Sequence, residues 1–340
     1  MRPIFWGDQM RTKLFTFLSF LVLFAGGLAA GNGLSASEAM EAALRAYTVG
    51  DYSKAVQILQ SASQAEPKNA EIHLLLAKTF YEMEERDRAV ASAERAVALD
   101  PKSSLNHEWL GRTYGEKADH CGWLCAMQLA KKARREFATA VELDERNFSA
   151  MQALIEFDCG APGIVGGGED KALKEIEKLA SLDVAEGHYA RANCRRQKKD
   201  FAEADAEFTK TLESNPKSVD LVYDIGDYAM KRDQPDRLSA VVQTGEKLNP
   251  NDPRGPFFLA VAQILRGEKL LEAESIIREY MNKAPKRNNY PSPAMAHYWL
   301  GRLAERKNMR EAAIGEYETA LRLEPKNRYA NEALKRVKRQ

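Results

Sequence analysis

The stretch HYWLGRLAERKNMREAAIGEYETALRLEPKN, residues 297–327, contains two helix-like segments with small residues at regular positions. Gly301 lies in the first segment, and Ala313 and Ala320 lie in the second. Small side chains let two helices approach closely, while larger apolar residues such as Leu300 fill the space to the next unit. Pro325 ends the second segment because proline cannot continue a helix. The stretch therefore predicts a helical hairpin.

The end of this stretch recurs along the chain. An acidic or small residue, then Pro, then Lys or Asn is found at Pro67, Pro101, Pro216, Pro250, Pro285 and Pro325, with degenerate copies at Glu145 and Val184. Successive separations are 34, 44, 39, 32, 34, 35 and 40 residues. A base period of 34 indicates a repeat protein, in which each unit buries its apolar face only by stacking on its neighbours.

The period and the pattern within it resemble the tetratricopeptide repeat (TPR) family. GDYSKAVQIL (50–59), HEWLGRTY (107–114) and HYWLGRLA (297–304) match segments of the family's helix–turn–helix unit. The residue early in the second helix, which the family keeps small, is Ala55, Ala89, Ala133, Ala172, Ala204, Leu238, Ala273 and Ala313. The resemblance implies an all-α fold: an α-solenoid, a right-handed superhelix of TPR hairpins. Repeats 4, 6 and 7 depart from the pattern, with Ile155, Leu238 and Tyr280 where a small residue is usual.

The repeat boundaries follow from this alignment. We expect eight repeats at 36–69, 70–103, 104–147, 148–184, 185–218, 219–253, 254–293 and 294–327. The last segment, 328–340, is expected to be a capping helix with Ala330, Leu334 and Val337 on its apolar side. Its basic residues are interpreted as a solvated face. The whole chain carries a net charge of +1, which does not indicate a nucleic-acid partner.

The N-terminus has the order of a secretory signal peptide. Basic Arg11 and Lys13 precede the apolar run LFTFLSFLVLFAGGLAA (14–30), which ends in small residues. We expect a signal peptide over residues 1–30 and a periplasmic or secreted protein. A retained, uncleaved membrane anchor is the alternative, and Met10 is an alternative start.

The glycine-rich stretch CGAPGIVGGGED (159–170) raises the question of a phosphate-binding loop. Such a loop needs a positive helix N-terminus and usually a Lys, Ser or Thr. Here Glu169 and Asp170 begin the helix and would repel an anion. The stretch is better interpreted as a widened turn in which Gly166–Gly168 adopt positive φ and Ile164 and Val165 pack back. Similar APGIVGGG turns occur in exported bacterial TPR proteins, a resemblance that covers repeats 3 to 5.

No catalytic or cofactor motif is present in the sequence. His73, His107, His188 and His297 share one repeat position, which favours packing over catalysis. Cys121 and Cys125 are one helical turn apart, a spacing that suits a disulfide poorly. No second ligand pair accompanies them and His120, so a metal site is not favoured. We expect no cofactor and no metal.

Repeat 3 is longer than the others by about ten residues, around EKADHCGWLCAMQLAKK (116–132). We expect both of its helices to be longer, so that their tip projects from the array. Trp123, Leu124 and Met127 are unusually apolar for such a tip. They either pack on repeat 4, under the glycine-rich turn, or dock a partner.

The family resemblance implies that first helices line a concave groove, with positions 5 and 9 of each facing it. Position 5 is aromatic in the last four repeats. The predicted partner-binding residues are Tyr189, Asn193, Tyr223, Asp227, Phe258, Tyr298 and Arg302. Aromatic side chains bury large areas and suit such contacts. Packing between adjacent first helices is the alternative explanation for the aromatic stripe.

Three functions remain compatible with these features. The first is an exported scaffold that binds another protein or peptide in its groove. The second is a membrane-tethered or self-associating assembly factor of the cell envelope. The third is an enzyme whose site is assembled across repeats. The expected partner is an unidentified protein or peptide, not nucleic acid, and a membrane only if the N-terminal segment is retained.

Overall fold

The computed structural model describes residues 35–285 and 287–339, and within these residues the chain forms seventeen α helices and no strand. In chain order they are α1 (Ala36–Thr48), α2 (Tyr52–Ala65), α3 (Ala70–Glu82), α4 (Arg86–Leu99), α5 (Ser104–Ala118), α6 (Trp123–Leu143), α7 (Phe148–Gly160), α8 (Glu169–Leu182), α9 (Val184–Gln197), α10 (Phe201–Glu213), α11 (Val219–Lys231), α12 (Pro235–Leu248), α13 (Arg254–Arg266), α14 (Leu270–Lys283), α15 (Pro293–Arg306), α16 (Arg310–Leu323) and α17 (Arg328–Arg339). The prediction of an all-α fold of stacked hairpins is confirmed. The predicted signal peptide lies outside the described residues.

The recurring Pro-containing pattern does two things in the structure. It ends one hairpin, and its last residue caps the first helix of the next. The side chains of Asn69, Ser103, Asn147, Ser218 and Asn327 each accept a hydrogen bond from a backbone amide in the following turn. An oxygen at this position satisfies an amide that has no partner within the helix. The sequence repeat is therefore a repeat of helix stops and starts.

The small residues of the second helices form the contact inside each hairpin. All eight aligned positions, from Ala55 to Ala313, are almost completely buried. Gly301 and Gly111 lie under the rings of Tyr317 and Phe137, where an added Cβ would be within 3 Å of a ring carbon. The C-terminal half, from α9 to α17, shares one continuous apolar core. Ala330, Ala333 and Val337 of α17 close that core.

The repeat 3 insertion mainly lengthens one helix, α6, which has 21 residues. Met127 is half-buried, but Trp123 and Leu124 are 71% and 66% exposed, so these two do not pack under the glycine-rich turn. The expectation about the neighbouring cysteines was wrong. The chain leaves helix geometry between α5 and α6, so Cys121 precedes α6 and pairs with Cys125 at a Cα separation of 5.9 Å.

A second disulfide joins two first helices. Cys159 on α7 pairs with Cys194 on α9, with a Cα separation of 5.5 Å. All four cysteines of the chain are therefore paired. A cross-link between neighbouring repeats restricts the unfolded chain and ties α7 to α9. Among the described residues, no helix is long and apolar enough to cross a membrane.

The glycine-rich turn covers a buried ion pair. Arg134 of α6 donates two hydrogen bonds of 2.7 Å to Asp158, which is buried on α7. Gly166 has a φ of +99° and lies against the Arg134 side chain. Gly168 has a φ of +150°, and its amide donates to the Asp158 carbonyl at 2.9 Å. The expectation for this turn holds in part, because Gly166 and Gly168 have positive φ but Gly167 does not. Of the two apolar residues, Val165 is buried and Ile164 is exposed.

Replacing Gly167 by alanine should destabilise the protein by about 1–3 kcal/mol, because an added Cβ would lie 2.2 Å from the Ala161 carbonyl oxygen. Gly163→Ala, where nothing lies within 4 Å of the added Cβ, is the matched control. Thermal unfolding of both variants measures the difference. Equal melting temperatures would show that the turn is not packed as described.

The carboxyl of Glu175, on α8, titrates unusually in this cluster. Burial, followed by the nearby Asp158 carboxylate, raises its pKa to about 7. Because this carboxyl binds its proton more tightly in the folded state than in the unfolded state, it lowers the free energy of unfolding as the pH rises from about 4.5 to 7. Glu175→Gln should therefore stabilise the protein on the order of 2 kcal/mol above pH 7 and have little effect near pH 4. Denaturant unfolding at both pH values tests this, with the exposed Glu177→Gln as control; a pH-independent difference would contradict it.

Candidate functional site

The concave side of the array encloses a channel of about 990 Å³. It is lined by residues from the first helices of repeats 2 to 6, which are α3, α5, α7, α9 and α11. Repeats 3, 4 and 5 contribute the residues at the positions expected to face the groove: Glu108, Arg112, Gln152, Glu156, Tyr189 and Asn193. The rule that positions 5 and 9 face the groove is therefore correct for these three repeats.

A long connection crosses the channel. Between α14 and α15 the chain runs through residues 284–292, which we call the strap; its residue 286 is outside the described residues. The strap is held at its base by Arg254, whose buried guanidinium pairs with Asp252 and Asp220 at 2.7 Å. The same group lies over the ring of Tyr290 in the strap, at 4.5 Å. These contacts fix the strap on repeats 6 and 7.

The tip of the strap reaches the other end of the array. The backbone amide of Asn288 donates to a carboxylate oxygen of Glu82, on α3, at 3.0 Å. The Arg287 guanidinium lies 5.9 Å from the ring centre of Tyr47, on α1. One hydrogen bond and one cation–π contact together contribute about 1–2 kcal/mol. The tip of the strap is thus held by fewer contacts than its base, where Arg254 forms two ion pairs.

Hydrogen bonds between first helices fix the middle of the channel wall. Gln152 Nε2 donates to Glu186 Oε2 at 2.9 Å, joining α7 to α9. The Tyr189 hydroxyl donates to Asp224 at 2.8 Å, joining α9 to α11. Beside Tyr189, Asn193 is only 7% exposed, and its Oδ1 has no hydrogen-bond partner among the described residues. A buried acceptor without a partner costs stability.

Aromatic surface is concentrated at the N-terminal end of the channel. Tyr81 and Trp109 make an edge-to-face pair with ring centres 5.7 Å apart. Lys78 and Arg112 lie over the Trp109 ring at 5.1 and 5.8 Å. Both side chains line the channel, although neither is among the partner-binding residues predicted from the sequence. Trp109 is at position 6 of its helix, one residue after the position that was compared between repeats.

The predicted partner-binding residues fall into three groups. Tyr189 and Asn193 line the channel. Tyr223, Asp227 and Phe258 border a second cavity of about 520 Å³ on the other side of the strap. The remaining two, Tyr298 and Arg302, lie on α15.

The structure supports the packing alternative for most of the aromatic stripe. Tyr223 and Phe258 are 2% and 1% exposed, with ring centres 5.8 Å apart. Space for the Tyr223 ring exists because Gly245 has no side chain; an added Cβ would lie 2.5 Å from the ring. Tyr298 is 8% exposed and packs against Tyr317. These rings fill the gaps between repeats, and contact of any of them with a partner stays a prediction.

The polar residues of the predicted set are paired within the chain. Arg302 donates to the Tyr298 hydroxyl at 2.9 Å and to Asp233 at 3.2 Å. Asp227 forms an ion pair with Lys231, one turn along α11. Burial nevertheless raises the pKa of Asp227, because its carboxylate is largely removed from water. Their role in partner binding also stays a prediction.

Three histidines form the same structural pair in different repeats. His107, His188 and His297 each bond through Nδ1 to a glutamate of their own hairpin, Glu136, Glu207 and Glu316, at 2.6–2.7 Å. His107 also uses Nε2 on the Pro101 carbonyl, at 3.1 Å. An imidazole held on both sides braces a hairpin. The described residues contain no group of side chains arranged to hold a metal ion.

Two stretches of the chain match models of the tetratricopeptide repeat, over residues 46–107 and 277–328. Cellulose synthase operon protein C of Escherichia coli K12 is 41% identical over 66 residues, which are 19% of this chain and only 6% of that protein. A tetratricopeptide repeat protein from Parabacteroides merdae aligns over 89% of this chain and 98% of its own, at 13% identity and a TM-score of 0.43. The Cut9–Hcn1 hetero-tetramer of APC/C aligns over 91% of this chain and 57% of its own, at 16% identity and a TM-score of 0.48.

The two matched stretches lie near opposite ends of the array, in repeats 1 to 3 and 7 to 8. The hairpins between them have the same small-residue contacts. Tetratricopeptide repeats typically serve as non-catalytic scaffolds that bind protein partners on an extended concave surface. The sequence pattern, the helical hairpins and the family matches agree: the chain contains tetratricopeptide repeats, matched directly over residues 46–107 and 277–328.

Proposed function

We propose that this protein is an exported scaffold that holds an extended segment of another polypeptide in the concave channel beneath the strap, without catalysis and without a cofactor. The observation that carries the proposal is the channel of about 990 Å³, whose wall is continuous across successive first helices. Tyr189 and Asn193 are the predicted contacts that this proposal uses most directly.

The dimensions of the channel favour an extended ligand. Its wall is built by five successive first helices, and packed helices are about 8–10 Å apart. A ligand that contacts the whole wall would span roughly 30–40 Å, which corresponds to about ten residues of extended chain. A small metabolite would contact only a fraction of this surface. A polypeptide segment is therefore the favoured class of ligand.

The compartment is part of the proposal. Two cysteine pairs are placed for disulfide formation, and disulfides persist in oxidising compartments outside the cytosol. They support the export that the N-terminal sequence predicts. The exposed Trp123 and Leu124 favour, as a second candidate, an assembly factor that self-associates through the repeat 3 tip.

A photo-crosslinking residue placed at Ala153, in the channel wall, should capture a partner in native cells. The same residue at Leu271, which is highly exposed on α14, is the control and should capture none. Mass spectrometry of the adducts gives the result. Adducts from Leu271 alone would refute the channel as the binding site. A third position, Trp123, tests self-association: homodimeric adducts only from there would favour the second candidate.

The mature protein should begin between about residue 30 and residue 37, because the small residues after the apolar run suit signal peptidase. N-terminal sequencing of protein isolated from native cells measures this. Protein that still begins at Met1 or Met10 in the membrane fraction would instead show a retained anchor.

A further inference from the structure

The channel has an excess of negative charge that the rest of the groove does not share. Seven carboxylates but only two guanidinium groups are among its described lining residues, and no lysine. The second cavity, across the strap, has four carboxylates and four cationic side chains. The negative charge is thus a property of the channel itself.

Some of these carboxylates are neutralised within the chain. Glu108 pairs with Arg112 at 2.9 Å, and Asp220 pairs with Arg254 at 2.7 Å. Glu82 accepts the amide of Asn288 in the strap. These three carboxylates already bind partners within the chain, so they are less available to a ligand than carboxylates without such partners.

Other carboxylates in the wall lack a close cation. Glu156 is exposed and forms no ion pair in the part of the chain that the structure describes. The Glu186 carboxylate accepts a hydrogen bond from the side-chain amide of Gln152. The backbone amide of Glu186 donates to Asp183 Oδ1. Asp224 on α11 differs, because it accepts the Tyr189 hydroxyl and forms an ion pair with Arg196 at 3.7 Å. A cation that enters the channel would find the carboxylates of Glu156 on α7 and Glu186 on α9.

The burial of Glu186 supports the same conclusion. Burial raises the pKa of its carboxyl, and the nearby Asp183 carboxylate adds to the effect. An incoming ammonium or guanidinium group would compensate that cost, since opposite charges favour the ionised form.

We propose that the occupant of the channel is a lysine- and arginine-rich extended segment of another protein. The inference rests on the function proposed above, and adds the chemistry of the partner. Carboxylates spaced along successive first helices match cationic side chains spaced along an extended chain.

The experiment uses the full chain and three labelled peptides of about twelve residues that differ only at four positions, which are Lys, Gln or Glu. Fluorescence anisotropy should show that the lysine peptide binds at least about tenfold more tightly than the glutamine peptide. The glutamate peptide should not bind. The affinity for the lysine peptide should fall as salt rises, because the exposed parts of these contacts are screened.

Charge-neutralising variants locate the binding. Glu156→Gln combined with Glu186→Gln should weaken binding of the lysine peptide about tenfold or more. Glu311→Gln combined with Glu332→Gln removes the same charge from exposed positions on α16 and α17, and should leave the affinity unchanged. Circular dichroism of both variants confirms that they are folded. Equal weakening by the two pairs would show attraction by net charge only and would overturn the proposal.

The outcomes also separate this inference from the function on which it rests. If the three peptides bind alike, or if none binds, while Ala153 still captures a partner, then the channel binds a polypeptide but the charge assignment is wrong. If Ala153 captures no partner and no peptide binds, both proposals fail. Binding of the lysine peptide that the channel variants leave unchanged would place the basic ligand elsewhere and refute the inference.

Discussion

The close contact between the two helices of each hairpin is the constraint on which this structure depends. Eight aligned positions in the second helices are almost completely buried, and seven of them are alanine. A larger residue there would separate the helices and change the angle at which the next hairpin stacks. Because no single hairpin covers its own apolar face, every unit also depends on its neighbours. The curvature of the concave side is the accumulated result of these contacts.

That curvature brings the ends of the array close enough for a single connection to bridge them. The strap is anchored firmly by Arg254 on α13 and only weakly at its contact with Glu82 on α3. The bridge also divides the groove into two cavities of different charge, which a simple open groove would not have.

Rigid elements surround the channel on the side where repeat 4 departs from the family pattern. The Cys159–Cys194 disulfide ties α7 to α9, and the Arg134–Asp158 pair fixes α6 to α7 under the glycine-rich turn. Both lie next to the wall that carries Glu156, Glu186 and Asn193. A preorganised wall loses less conformational freedom when it binds a flexible chain, so these features support the channel as a binding surface.

The sequence by itself determined the repeat period and the hairpins, because these depend on local spacing: an aligned position, small in seven of eight repeats, that recurs every 32 to 44 residues, and a Pro-containing stop at the end of most hairpins. It also identified the groove-facing positions of repeats 3 to 5. It did not show that Tyr223 and Phe258 fill the gap between α11 and α13, since that depends on the space left by Gly245 on another helix. Nor could it show that Asn288 meets Glu82, 206 residues away, or that Cys121 lies outside a helix. Only the tertiary structure decided these features, because they result from how successive hairpins stack and rotate, and no local pattern encodes that sum.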